Sequence, residues 1–372
     1  MAFSLALLAG FASLTVDYAF LRYTMNRLQK AAEDSALAGA AALIPLGADC
    51  KAARDVAVRT GQAVLDRDDS PDLAVRASDV LFLQEGVMDG SSPDQVEVTA
   101  GRTSARGNPV RLFLGGIMGQ PFADVSANAR AGLFCAGSSG DVAPLAIPER
   151  FVWDDACDAD QGLRNNGVCD AQSPCETASL QVLGHGDRDA GRRIALRPGS
   201  IGRLSPETWY LARGGAFAAK GADRAGDETH TGAMEAAVAV ADELRLDSGE
   251  YAAAWLRREM ARRMGLDDGA YWDDSRGIIA GSRFRDSQRS PRLLRVAFFD
   301  PSRGESPGGE IVRVCRLGAF FIEDVRENGD VAGRFVRALA VSPKPAEGPC
   351  DPRGIGLYGA RLVRVIKENR VD

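Results

Sequence analysis

The chain has 372 residues, of which 45% are hydrophobic and 26% charged, with a mean hydropathy of -0.15; this excludes a polytopic membrane protein and a disordered chain. Its 45 basic and 51 acidic side chains leave a net charge of -6, so there is no broad electropositive surface for a nucleic-acid backbone. The only two histidines are His185 and His230; with no GxSxG, HExxH, GxGxxG or Walker pattern beside them, an enzyme is not expected.

The first element is MAFSLALLAGFASLTVDYAFL, which carries no charge before Asp17. A membrane-spanning helix needs about 17–25 apolar residues. Phe3, Leu5, Leu7, Leu8, Phe11, Leu14 and Val16 supply the large side chains here, and the run reaches that length only by continuing to Leu21. Beyond Asp17, a ladder of Leu21, Met25, Leu28, Ala32, Ser35, Gly39 and Ala42 carries the helix to Leu43, where Pro45 and Gly47 stop it. Such a rod is roughly 65 Å long, and its far half turns to small residues that permit close helix approach. A buried core helix and a cleaved secretory signal ending at Ala38-Gly39-Ala40 are the competing readings. The charges at Arg22, Arg27, Lys30, Glu33 and Asp34 stand between the apolar run and that site, and argue against it.

The stretch LALLAGFASLTVDYAFLRYTMNRLQKAAEDSALAGAAAL resembles the N-terminal segment of the TadE/TadG-like family of tight-adherence (Flp) pilus assembly proteins. There an apolar helix leads into V-D, a basic residue and an L-Q-x-A-rich tail. The resemblance implies one helix anchored in the bacterial inner membrane, single-pass, with a body in the periplasm or on the cell-surface pilus. Implied partners are other pilin-like subunits and inner-membrane platform proteins. A looser similarity to the region that accompanies TadG-like anchors runs through GNPVRLFLGG, PLAIP, SPRLLRVAFFDP, RLGAFFIED and GRFVRALAV.

Residues 51–69 read as an amphipathic helix with Ala53, Val56, Ala57, Gly61 and Val64 on one face. DQVEVTA alternates as a half-buried strand should. Further strands are expected at 110–114, 125–134, 192–196, 293–299, 311–322, 333–341 and 358–366, and helices at 234–244 and 250–264. The expected fold class is α+β: a long N-terminal pilin-like transmembrane helix over 1–44, then a β-rich, mainly antiparallel body over 45–372, with a subdivision near 140–200.

The densest polar cluster is FVWDDACDADQGLRNNGVCDAQSPCE. Asp154, Asp155, Asp158 and Asp160 are its candidate calcium ligands, although the spacing departs from the EF-hand pattern; the plainer reading is a solvated loop pinned by a disulfide. Cys157 with Cys169 or Cys175, and Cys315 with Cys350, are candidate bridges, while Cys50 and Cys135 form either a further bridge or two buried thiols. His185, in GHGDRD, and His230, in GDETHTG, read as loop residues. Arg257, Arg258, Arg262 and Arg263 read as a solvated helix face. The sequence thus favours a pilin-like structural component of a tight-adherence pilus machine, with no cofactor other than calcium, no nucleic acid and no small-molecule substrate. The alternatives are a calcium-dependent surface-binding module and an extracytoplasmic hydrolase built on acidic pairs.

Overall fold

Alanine, serine and glycine recur at helical spacing through the second half of the first helix, and that spacing decides what the helix can touch. The computed structural model describes residues 2–363, except 46, 48, 66–70, 85–86, 89–92, 114, 116–118, 214–216, 218–234, 304–309 and 348–353. His230, Met234 and Cys350 lie outside the described residues, as do the side chains of Phe3, Leu5, Leu7, Leu8, Phe11 and Leu14. The chain divides into two units, one of residues 1–133 with 360–372 and one of 134–359.

In the first unit, α1 (Ala2–Ala42) runs unbroken for 41 residues. It packs along α2 (Cys50–Val64), whose start is capped by Asp49 accepting from the backbone N–H of Lys51 and Ala52. Ala31, Ala32, Ala36, Gly39 and Ala40 of α1 meet Ala53, Ala57 and Gly61 of α2, all buried. The backbones come close because nothing larger than a methyl group intervenes. A Cβ on Gly39 would lie 3.1 Å from both Ala57 Cβ and Val96 Cγ1, and one on Gly61 would lie 3.1 Å from Ser35 Cβ. Ser35 Oγ donates to the Ala57 carbonyl at 2.6 Å, which satisfies this buried hydroxyl.

The helices cover one face of an antiparallel sheet of β1 (Val80–Gln84), β2 (Gln95–Arg102) and β3 (Val125–Cys135), with the short strand Val87–Met88 outside β1. Alternation sorts its faces. Val96, Val98 and Ala100, with Ala127, Ala129 and Ala131, go into the core, whereas Arg130 and Asn128 hold Glu97 on the opposite face.

Among the described residues no helix is long and apolar enough to cross a membrane. This corrects the expected transmembrane anchor, and with it the single-pass reading, the inner-membrane placement and the fold class framed around that helix. From Thr15 onward α1 carries Asp17, Arg22, Arg27, Lys30, Glu33 and Asp34. Its ladder, assigned from sequence to lipid and to neighbouring subunits, is instead buried in its own chain. Leu28, Ala32, Ser35, Gly39 and Ala42 are buried, while Leu21 and Met25 are half-buried.

The second unit is built on β4 (Ser138–Pro148), β5 (Arg193–Pro198), β6 (Thr208–Arg213), β7 (Ala236–Ala239), β8 (Glu243–Asp247), β9 (Leu293–Phe299), β10 (Ile311–Val325) and β11 (Val331–Val336). The pairings β4–β9, β9–β10, β10–β8, β8–β6 and β6–β4 return to their start, so five strands close into a ring. All are antiparallel except β4–β9. Closure leaves few edges and buries both faces of the central strands. Ala146, Tyr210, Ala297 and Phe299 enter one core; Leu145, Trp209, Phe298 and Phe320 enter the other. A helix, α3 (Gly249–Leu266), closes the second core with Ala252, Leu256 and Met260, spaced four apart.

Most strands stand where alternation placed them, but the helix expected over 234–244 is replaced by β7 and β8. Their Ala, Glu and Leu favour a helix locally; hydrogen bonding to β4, β6 and β10 overrides that preference. The strand expected at 110–114 shrinks to Val110–Arg111.

Candidate functional site

Arg27 donates to the carbonyl of Val64, the last residue of α2, at 3.4 Å. Residues 2–26 of α1 therefore continue past the end of α2 for on the order of 37 Å. Asp17, expected only as the end of an apolar run, is buried and accepts the Phe113 backbone N–H at 2.7 Å, and Phe113 sets its ring edge-on to Phe20 at 5.3 Å. Val16, Tyr18 and Tyr23 are exposed on the same segment. The Arg22 and Arg27 guanidinium groups lie over the Tyr18 and Tyr23 rings, which shields part of the aromatic surface.

The acidic loop is organised by its own backbone. Asp154 accepts from Ala156, Asp158 from Asp160, and Asp160 from Gly162, each through the main-chain N–H two residues on. Asp155 accepts from Asn166 and Gly167 across the loop, at 3.2 and 2.8 Å. Cys157 and Cys175 form the disulfide that pins it, leaving Cys169 buried as a free thiol pushed up to about 12 by burial and by Glu176 and Asp170. The four aspartates named from sequence are neighbours, but each carboxylate serves a different stretch of backbone. Among the described residues no group of three or more His, Cys, Asp and Glu could hold a metal ion. Cys315 carries a free thiol, which corrects the expected bridge to Cys350, and Cys135 is disulfide-bonded. On α3, Arg262 and Arg263 share Glu259, with Arg263 buried, while Arg257 and Arg258 are exposed.

A densely hydrogen-bonded polar group joins His185, read from sequence as a loop residue, to Glu149 and Arg316, which sequence reasoning did not single out. Glu149 follows β4, and its N–H donates to Phe299, which extends the strand ladder and carries the carboxylate inward. β10 delivers Arg316 beside it. The register shift at Phe298/Phe299 pairs Phe298 with Arg316 and Phe299 with Val314, leaving Cys315 as the extra residue of a bulge. Arg316 grips Glu149 through Nε and Nη2, both at 2.9 Å, donates Nη1 to the Ile355 and His185 carbonyls, and lies over the Phe298 ring. His185 adds two more donors to Glu149, its backbone N–H at 3.0 Å and Nδ1 at 2.9 Å. Gly184, at φ 69°, makes the turn that allows this.

Burial raises the Glu149 carboxyl, but hydrogen bonds from His185 and Arg316 and their charges outweigh it and hold the group below its ordinary 4.5. Loss of water around the Cys315 thiol, with the Glu149 charge nearby, pushes that group up to about 12, so it stays a protonated thiol. The His185 ring packs against Phe298 and Phe335 and borders a cavity of about 60 Å³. The local signals for this site were a histidine between two glycines and a glutamate directly after an apolar strand.

Compared with known proteins, the chain matches no family model, no curated protein and no solved structure.

Proposed function

We propose that this chain is a structural, non-catalytic component of a bacterial tight-adherence (Flp) pilus assembly, built on a pilin-like helix and working by helix packing between subunits. The reading starts from the resemblance of residues 5–43 to TadE/TadG-like proteins. One observation carries it further: α1 is a single helix whose front half continues past α2 and exposes Val16, Tyr18 and Tyr23. The small-residue half is occupied by the chain's own α2 and sheet, so subunit packing falls to the front half. A helix of another pilin-like subunit is the partner that this surface suits. The Cys157–Cys175 bridge agrees with folding in an oxidising compartment.

The test is a strain lacking this gene, complemented with wild type or with Val16→Arg/Tyr18→Arg. Both side chains are exposed, so the variant should melt as wild type does. Wild type should restore surface pili, and the variant should leave them at least about tenfold fewer. Normal piliation in the uncomplemented strain contradicts the reading.

A further inference from the structure

Within the second unit, His185 is held by a device that structural packing alone does not require. Its side chain is 4% exposed, its Nδ1 is taken by Glu149, and Nε2 has no hydrogen-bond partner among the described residues. Arg150 borders the same cavity and has a buried Nε that also lacks a partner, while its Nη1 donates to Asp189 at 3.1 Å. A buried guanidinium N–H left open at a small cavity is costly unless something occupies it.

Size and charge narrow the occupant. A cavity of about 60 Å³ has room for about four water molecules, or a solute of roughly five non-hydrogen atoms. Arg192 and Glu207 join Arg150 and Asp189 in the wall, which so holds two guanidinium groups and two carboxylates, with Ile194, Pro206 and Phe335 as its apolar part. That balance disfavours a phosphate or other polyanion and favours a molecule carrying one charge of each sign. We propose that this cavity binds a small zwitterionic α-amino acid of the size of glycine or alanine. Arg150 and Arg192 take the carboxylate, and Glu207 accepts from the ammonium, beside the His185 ring that borders the cavity. The inference uses only the second unit and stands apart from the pilus reading.

Because the chain has only two histidines, the His185 ring resonance can be assigned by its loss in His185→Phe and followed in the full chain by NMR. Titration with glycine should move it saturably. Acetate and methylamine, which each carry half of the pattern, should bind at least about tenfold more weakly, the factor expected when one charged contact worth about 1.4 kcal/mol is lost. Arg192→Gln and Glu207→Gln alter exposed residues, should fold normally, and should each weaken glycine by a similar factor. No saturable shift with glycine, or equal binding of glycine and acetate, or unchanged affinity in both variants, overturns the proposal.

Discussion

Glu149 accepts four hydrogen bonds from two residues that lie 36 and 167 positions away in sequence, so its carboxylate ties three chain segments together. Removing that charge leaves Arg316 with its strongest acceptor gone. Glu149→Gln should cost about 2–4 kcal/mol in chemical denaturation at neutral pH. The pH dependence follows from the direction of the shift. The folded carboxyl sits below its ordinary 4.5, so its stabilisation is complete above about that pH and is lost as pH falls through the lower folded value. The wild type should therefore lose stability more steeply than Glu149→Gln on acidification below about pH 4.5, and parallel curves would contradict this. None of this site was legible beforehand. A histidine between two glycines and a glutamate after an apolar strand do not point to one another or to one arginine among many, and only the ring of strands and the bulge at Cys315 bring them together.

At the scale of elements, the seam between α1 and α2 depends on the absence of side chains. A leucine at Gly61 would have to start 3.1 Å from Ser35 Cβ and 3.3 Å from the Ala31 carbonyl. Gly61→Leu should destabilise the first unit by about 1–3 kcal/mol in thermal or chemical unfolding, despite leucine's better helix propensity. An unchanged midpoint would mean that the helices are not this close. The ladder from Leu21 to Ala42 was readable because helical period survives any partner, yet its partner was not readable. A small-residue face fits a lipid-side helix, another subunit or the chain's own α2 equally well. Strand β4 escaped notice because VAPLAIP does not alternate and contains Pro144; a strand buried on both faces lacks the polar beat that marks a half-buried one. Strands β2 and β9 were found because their alternation or unbroken apolar run was flanked by turn residues.

For the molecule as a whole, stability is divided between units with separate cores. The Cys157–Cys175 bridge closes a loop of 18 residues. Replacing both cysteines by serine should cost the second unit about 3 kcal/mol, the value expected when that constraint on the unfolded chain is removed. If the two units unfold separately, Gly61→Leu should move one calorimetric transition and the cysteine pair the other. The central claim, that the front of α1 packs on another pilin-like subunit, is tested most directly by a photo-reactive residue at Tyr18 in living cells. The adduct should join Tyr18 to the N-terminal helix of a second pilin-like subunit, identified by mass spectrometry. Cross-links confined to this chain alone, in cells that make normal pili, would contradict it.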